Sequence, residues 1–400
     1  MLCFVFIALL SISVSGQTDP ERQVHWVSNP GCPKDSPRWD CNQTQILHVV
    51  SQGPNDTINY LWAFYSKPSL LISVTDSDAE LKIDWANLGL TKNRTIRFDP
   101  KPDYSFGLAL DKVIEFYDAS DSANMSLAND SIARETENFT WSVQKINLEG
   151  GDLQVELLGS QYNNGSLKGN ITMMLSVFGK DGYGPLLPHI QHSSNASQVE
   201  ITLENFETSK KFKGKSRFGL QFMLVDSLAG EGPDQVEEKR SLDDEHTPGV
   251  FTIDELLTPT VRNGGLGGYL EWRPVAYTSS ARAIEESTTT VHYPMRNVSQ
   301  AHLKGSLLHD FFGHSLAHTL VPQALNISFG VSEDGFYRAT NHNAWTFTMG
   351  YGQPPKEKFS LLVILILAIG LGVPATLFVF GGIFMACKKC RARKEEPLLN

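Results

Sequence analysis

The sequence predicts a mainly β protein: a lumenal antiparallel β-sandwich body of one or two lobes, followed by a single transmembrane α-helix. Three observations predict it. Short runs along most of the chain alternate apolar and polar residues, few windows carry a long helical period, and the 28 residues 359–386 hold no charge. Alternation with one apolar face marks half-buried antiparallel strands, and many short ones in succession suit a sandwich. About 20 apolar residues suffice for a helix to cross a bilayer.

Residues 1–16, MLCFVFIALLSISVSG, run apolar and then small, as a secretory signal does, with cleavage at about Gly16 and without the usual basic start. The body then spans residues 17–358. Strands are expected at 46–50, 60–65, 70–74, 81–85, 113–117, 139–146, 153–157, 171–178, 199–203, 218–225, 269–277 and 325–329, and short helices at 253–257 and 303–312. The polar segment 230–249, GEGPDQVEEKRSLDDEHTPG, has no apolar period and is expected to loop out, placing a lobe boundary near it. After the apolar span come Lys388, Lys389, Arg391, Arg393 and Lys394. Basic residues beside a span stay on the cytoplasmic side, so residues 387–400 form a cytosolic tail and everything before Phe359 is lumenal.

That sidedness sorts the cysteines. Cys3 leaves with the signal, Cys387 and Cys390 face the reducing cytosol, and Cys32 and Cys41 are left to pair in an oxidising compartment. Cys387 and Cys390 also stand at the membrane edge, where thiols are placed for palmitoylation. With five of 34 cations and two of 44 acids in the tail, the body holds 29 cations against 42 acids, a net −13. So acidic a body argues against nucleic acid, because phosphate binding needs a basic face. All eleven histidines also precede the span, and near pH 5 most of them would carry protons.

Asn-x-Ser/Thr sequons occur at Asn42, Asn55, Asn93, Asn124, Asn129, Asn138, Asn164, Asn170, Asn195, Asn297 and Asn326, several-fold more often than composition predicts. All precede the span, in agreement with the charge rule, and each occupied Asn is expected to face solvent. No sequon lies between Asn195 and Asn297.

The chemistry-bearing motifs are weak. Gly313-His314-Ser315-Leu316-Ala317, with Asp334 and His342 following, has the order of a lipase-type nucleophile elbow, yet few residues remain for the rest of that fold. His309, Asp310, His314 and His318 have a metal-like spacing but lack the Glu that zinc hydrolases place after the first His. Asp243-Asp244-Glu245-His246 lacks the Gly and terminal Glu of a calcium loop. No cofactor is implied, and a non-catalytic protein is expected. Within the span, Ala368, Gly372, Ala375, Gly382 and Ala386 share one stripe, where small side chains let a second helix approach closely. That helix could belong to a partner or to a second copy of the chain. In the tail, Glu395, Leu398 and Leu399 resemble a dileucine signal read by cytosolic sorting adaptors.

Several blocks resemble the glycosylated lysosomal membrane protein family: LALDKVIEFYD at 108–118, SLDDEHTPGVFTIDELL at 241–257, LEWRPVAY at 270–277, LNISFG at 325–330, and the Gly- and Pro-marked span. The tail departs from the family in lacking its tyrosine-based sorting signal. The resemblance implies a type I lysosomal glycoprotein without known catalysis. It also implies an accessory subunit that stabilises a multi-span lysosomal transporter of the major facilitator superfamily, an exporter of dipeptides, and shields it from lumenal proteases. Two other classes stay open on the residues alone: a membrane-anchored lysosomal hydrolase, and a sorting or adhesion receptor.

Overall fold

The computed structural model describes residues 21–90, 94–228, 234–241, 247–313, 315–357 and 361–392. Its body is a 19-stranded antiparallel sheet folded on itself into two facing halves. The first half runs Gln23–Ser28, Ile46–Gln52, Thr57–Ala63, Ser69–Thr75, Tyr104–Tyr117, Ser216–Asp226 and Gln323–Phe329. The second runs Thr140–Glu149, Asp152–Ser160, Asn170–Val177, Ala196–Glu204, His342–Gly352, Gly267–Trp272, Thr252–Leu257 and Gln235–Arg240. Ser287–His292 joins them. Its first residues pair with Val275–Tyr277 of the second half and its last with Gln323–Phe329 of the first.

The core lies between the halves because each strand alternates. Leu153, Val155 and Leu157 point inward with Ile171, Met173, Leu175, Val199 and Ile201, meeting Trp62, Ile72, Leu108, Leu220 and Phe222 from the first half. Every strand expected from the sequence is present, with 269–277 broken into two at Arg273-Pro274. Proline has no N–H to give a ladder, so a break there is what its chemistry requires. The strand His342–Gly352, central to the second half, was not among those expected. Trp345, Phe347 and Met349 alternate there with Thr346 and Thr348, but Gly350 and Gly352 dilute the apolar face.

Two expectations are corrected. Residues 253–257, expected as a helix, are the strand Thr252–Leu257, and the polar segment 230–249 contributes the edge strand Gln235–Arg240 paired to it. QVEEKR carries four charges in six residues, which conceals it as a strand and also protects an edge from adding foreign strands. The described residues 21–240 and 247–355 form one compact unit.

The middle of the first half is buried on both faces: all seven residues of Thr57–Ala63 and of Ser69–Thr75 are buried. Its outer side carries Leu61, Leu71, Ala109, Met223 and Val225, covered by Trp85 and Phe98 from the hairpin region 80–99 and by Leu307, Leu308 and Phe311 of the helix Leu307–Phe312. The helix begins where Ser306 Oγ accepts from His309 N, a serine N-cap. It is pinned by the fully buried Asp310, whose Oδ2 accepts from Tyr65 Oη at 2.7 Å and from Gly89 N at 2.8 Å. Gly107 permits its approach, since a Cβ there would stand 2.3 Å from Leu308 Cδ2.

Charge is also buried. Arg217, in the first half, reaches Asp118 with Nε at 2.8 Å, Asp121 with Nη2 at 2.6 Å and Asp334 with Nη1 at 2.6 Å. One guanidinium fork thereby ties two loops to the sheet. Cys32 and Cys41 are joined in a disulfide, as expected.

Two substitutions test this packing, both read by urea denaturation of the purified protein. Arg217→Met leaves the buried Asp118 carboxylate, and the more exposed Asp121 and Asp334, without their partner and is expected to cost about 3–5 kcal/mol. Gly268→Ala places a Cβ 2.3 Å from Phe106 Cγ, where the two halves meet, and is expected to cost about 1–3 kcal/mol.

Candidate functional site: a sugar-bearing body on one apolar helix

Asn42, Asn55, Asn129, Asn138, Asn164 and Asn297 are exposed, as a glycan requires. Asn124, Asn170 and Asn195 are half-buried. Asn124 caps a short helical turn through Ser126 N, and Asn195 Oδ1 accepts from Arg22 Nε at 2.7 Å. Asn326 departs from the expectation that every acceptor faces solvent: it is 9% exposed, in the middle of Gln323–Phe329. Asn93 lies outside the described residues, as do residues 1–16 and the sorting residues Glu395, Leu398 and Leu399.

The apolar segment is the helix Leu361–Ala392, continuous through Pro374, and Val363–Lys389 within it is long and apolar enough to cross a membrane. Ala368, Ala375, Gly382 and Ala386 are exposed and Gly372 is half-buried, and nothing stands within 4 Å of a Cβ built on Gly372 or Gly382. Cys387 is a free, exposed thiol beside Ala386.

The hydrolase motif is not assembled. Ser315 opens the short helix Ser315–His318, Asp334 is committed to Arg217, Thr288 and the Val331 N–H, and His342 faces Glu204 at 3.6 Å. Of the metal-like quartet, Asp310 serves the helix pin described above, while His314 and the side chain of His318 lie outside the described residues. Residues 242–246, which include the acidic run from Asp243, lie outside them too. Among the described residues no group of three metal-ligating side chains gathers. Between the sheet halves, the gap bordered by Trp62, Met173, Phe222 and Phe347 measures about 20 Å³, room for a water.

Sequence reasoning missed the buried titrating groups. Burial pushes Asp226 up to about 6. Burial, and then the negative Asp226, pushes Asp234 up to about 7 against the pull of Arg262. Asp226 lies beside Tyr104, whose hydroxyl accepts from Gly268 N at 2.6 Å. His192, stacked on Phe178, is driven by burial down to about 4, so the expectation that most histidines charge near pH 5 fails for it. Neither effect could be read from residue types, since both follow from burial.

Among the described residues, a β body bearing sequons and one helix long and apolar enough to cross a membrane fit the class of membrane-anchored glycoproteins. The sequence model of the glycosylated lysosomal membrane protein family matches residues 45–392. Glycosylated lysosomal membrane protein A of Xenopus laevis is 27% identical over 410 residues, covering 100% of this chain and 98% of that relative. The Danio rerio relative is 28% identical over 363 residues (88% and 87% covered), and the Homo sapiens relative 25% identical over 370 (87% and 85% covered). The chain belongs to the glycosylated lysosomal membrane protein family. It is a lysosomal membrane glycoprotein.

The buried acids and the buried imidazole oppose each other with pH. As pH falls from 7.5 to 5, the folded body takes up protons on Asp234 and Asp226 that the unfolded chain, with ordinary carboxyl values, does not, so their contribution to stability rises. Over the same range the unfolded chain protonates His192 below about 6.5 while the buried ring resists, so that contribution falls. Asp234→Asn removes one rising part. It should stabilise the protein more at pH 7.5 than at pH 5, with a difference on the order of 2–3 kcal/mol. Denaturation midpoints of both proteins at the two pH values check this, and an equal effect at both would contradict it.

Proposed function

We propose that this chain is a non-catalytic accessory subunit of a multi-span lysosomal transporter, anchored type I with its body in the lumen and its tail in the cytosol. The single observation that carries the reading is the apolar helix: it is long enough to cross a membrane, holds no ionisable residue from Val363 to Ala386, and carries a stripe of small residues. A lone crossing of that kind cannot line a polar pathway, whereas small residues let another helix gain packing contacts that lipid does not supply. Five cations just beyond the span support a cytosolic tail, and sequons confined to the other side support a lumenal body.

On this reading the body acts by position. A folded domain of about 340 residues covered in sugar excludes proteases from whatever it overlies, and the family resemblance points to a major facilitator superfamily exporter of dipeptides as the protein overlain. The sequon-free interval between Asn195 and Asn297 includes the edge strand Gln235–Arg240, which sugar leaves open to a protein partner. Cytosolic adaptors that read Leu398 and Leu399 would deliver the pair.

Affinity purification in mild detergent is expected to recover a stoichiometric multi-span transporter. Gly372→Leu with Gly382→Leu should reduce that recovery at least tenfold while leaving the melting temperature of the body unchanged. If loss of the chain leaves every lysosomal transporter at normal abundance, the shielding role is wrong.

A further inference from the structure

Asn326 poses a contradiction: it is a sequon residue, Asn326-Ile327-Ser328, yet it is 9% exposed within a paired strand. Its atoms resolve it. Oδ1 accepts from Gln221 Nε2 on the neighbouring strand at 2.9 Å. Nδ2, the atom that bears a sugar, makes no hydrogen bond among the described residues and is not one of the buried unpartnered atoms, so solvent reaches it. The residue forms part of the lining of an open groove of about 410 Å³, within the size range of small-molecule clefts.

The groove sits where the protein's own cover stops. On the outer side of the first half, Met223 and Ala324 lie beneath the helical layer, while Gln221 and Asn326, two positions along the same strands, lie in the groove. Ile114 and Met125 there are only half-buried, and with Pro294 they offer an apolar wall; Ser131 and Arg296 offer polar groups opposite. A pyranose has one apolar and one hydroxyl-rich aspect, and such a mixed lining suits it.

We propose that the first sugar on Asn326 occupies this groove as a built-in part of the fold, completing the cover of the first half where the helical layer ends. Attachment precedes folding. In the folded body Ser328 is fully buried with Oγ bonded to Tyr293 Oη at 2.8 Å, and the strand is paired on both sides, so no transferase could engage the sequon afterwards. The amide left by glycosylation keeps its oxygen for Gln221, so the modified side chain retains the observed bond.

The test uses the full chain, purified free of partners in detergent. It is digested with peptide-N-glycosidase in heavy-oxygen water before or after denaturation, with site-resolved mass spectrometry. The expected result is that Asn326 is occupied, keeps its sugar under native conditions that strip Asn42 and Asn129, and releases it once the protein is unfolded. An empty Asn326, or native release at the rate of Asn42, overturns the proposal. Asn326→Gln should also lower the melting temperature by a few degrees while Asn42→Gln leaves it unchanged; equal values for both variants would overturn it as well. Should Asn326→Gln fail to accumulate, native protection of the unaltered chain still decides.

Discussion

Covering the first half of the sheet on its outer face is the constraint that organises the rest of the body. A sandwich ordinarily leaves each sheet one wet face, and its strands then alternate. Here Thr57–Ala63 and Ser69–Thr75 have no wet face, and the apolar area they expose on the far side must be removed from water at about 25 cal/mol per Å². The hairpin region 80–99 and the helix Leu307–Phe312 exist to do this. Their attachment is polar, through Asp310 to Tyr65 and Gly89. Burying that carboxylate is tolerable because Oδ2 has two donors. The same demand accounts for glycine at 107, where any Cβ would hold the helix off.

Much of this was legible in the sequence. Alternating runs such as LQVEL at 153–157 locate strands because one face is wet, and the charge-free 359–386 stretch announces its helix by length alone. The failures share a cause. QVEEKR at Gln235–Arg240 is a strand by pairing, not by pattern, since an exposed edge has little apolar face to display. Thr252–Leu257 carries TIDELL, whose Asp254 and Glu255 are buried and partnered across strands; inside a sheet, tertiary partners override local preference. The candidate surface was less legible than the fold. Acceptor sequons are plain in sequence, but that Asn326 lies under a groove while Asn42 stands free follows from strand pairing, which the sequon does not encode.

Electrostatics divide along the same line. Composition gives an acidic body and a basic tail, and these bear on sidedness. It does not disclose that Asp234 is buried within reach of the charge on Asp226, or that His192 lies flat on Phe178. Bulk charge counts therefore say little about how this body responds to acid. Asp226, Asp234 and His192 add contributions of opposite tendency, set by burial.

Ser287–His292, hydrogen-bonded to one half of the sheet by its first residues and to the other by its last, acts as a rivet. Prising the two halves apart would strip this segment from at least one set of neighbours, so the body cannot gape open without also losing backbone bonds. Where peptidases act on a folded protein, survival is governed by how seldom the chain offers an extended stretch for cleavage. Mechanical closure of this sort lengthens the life of the molecule without any single strong bond.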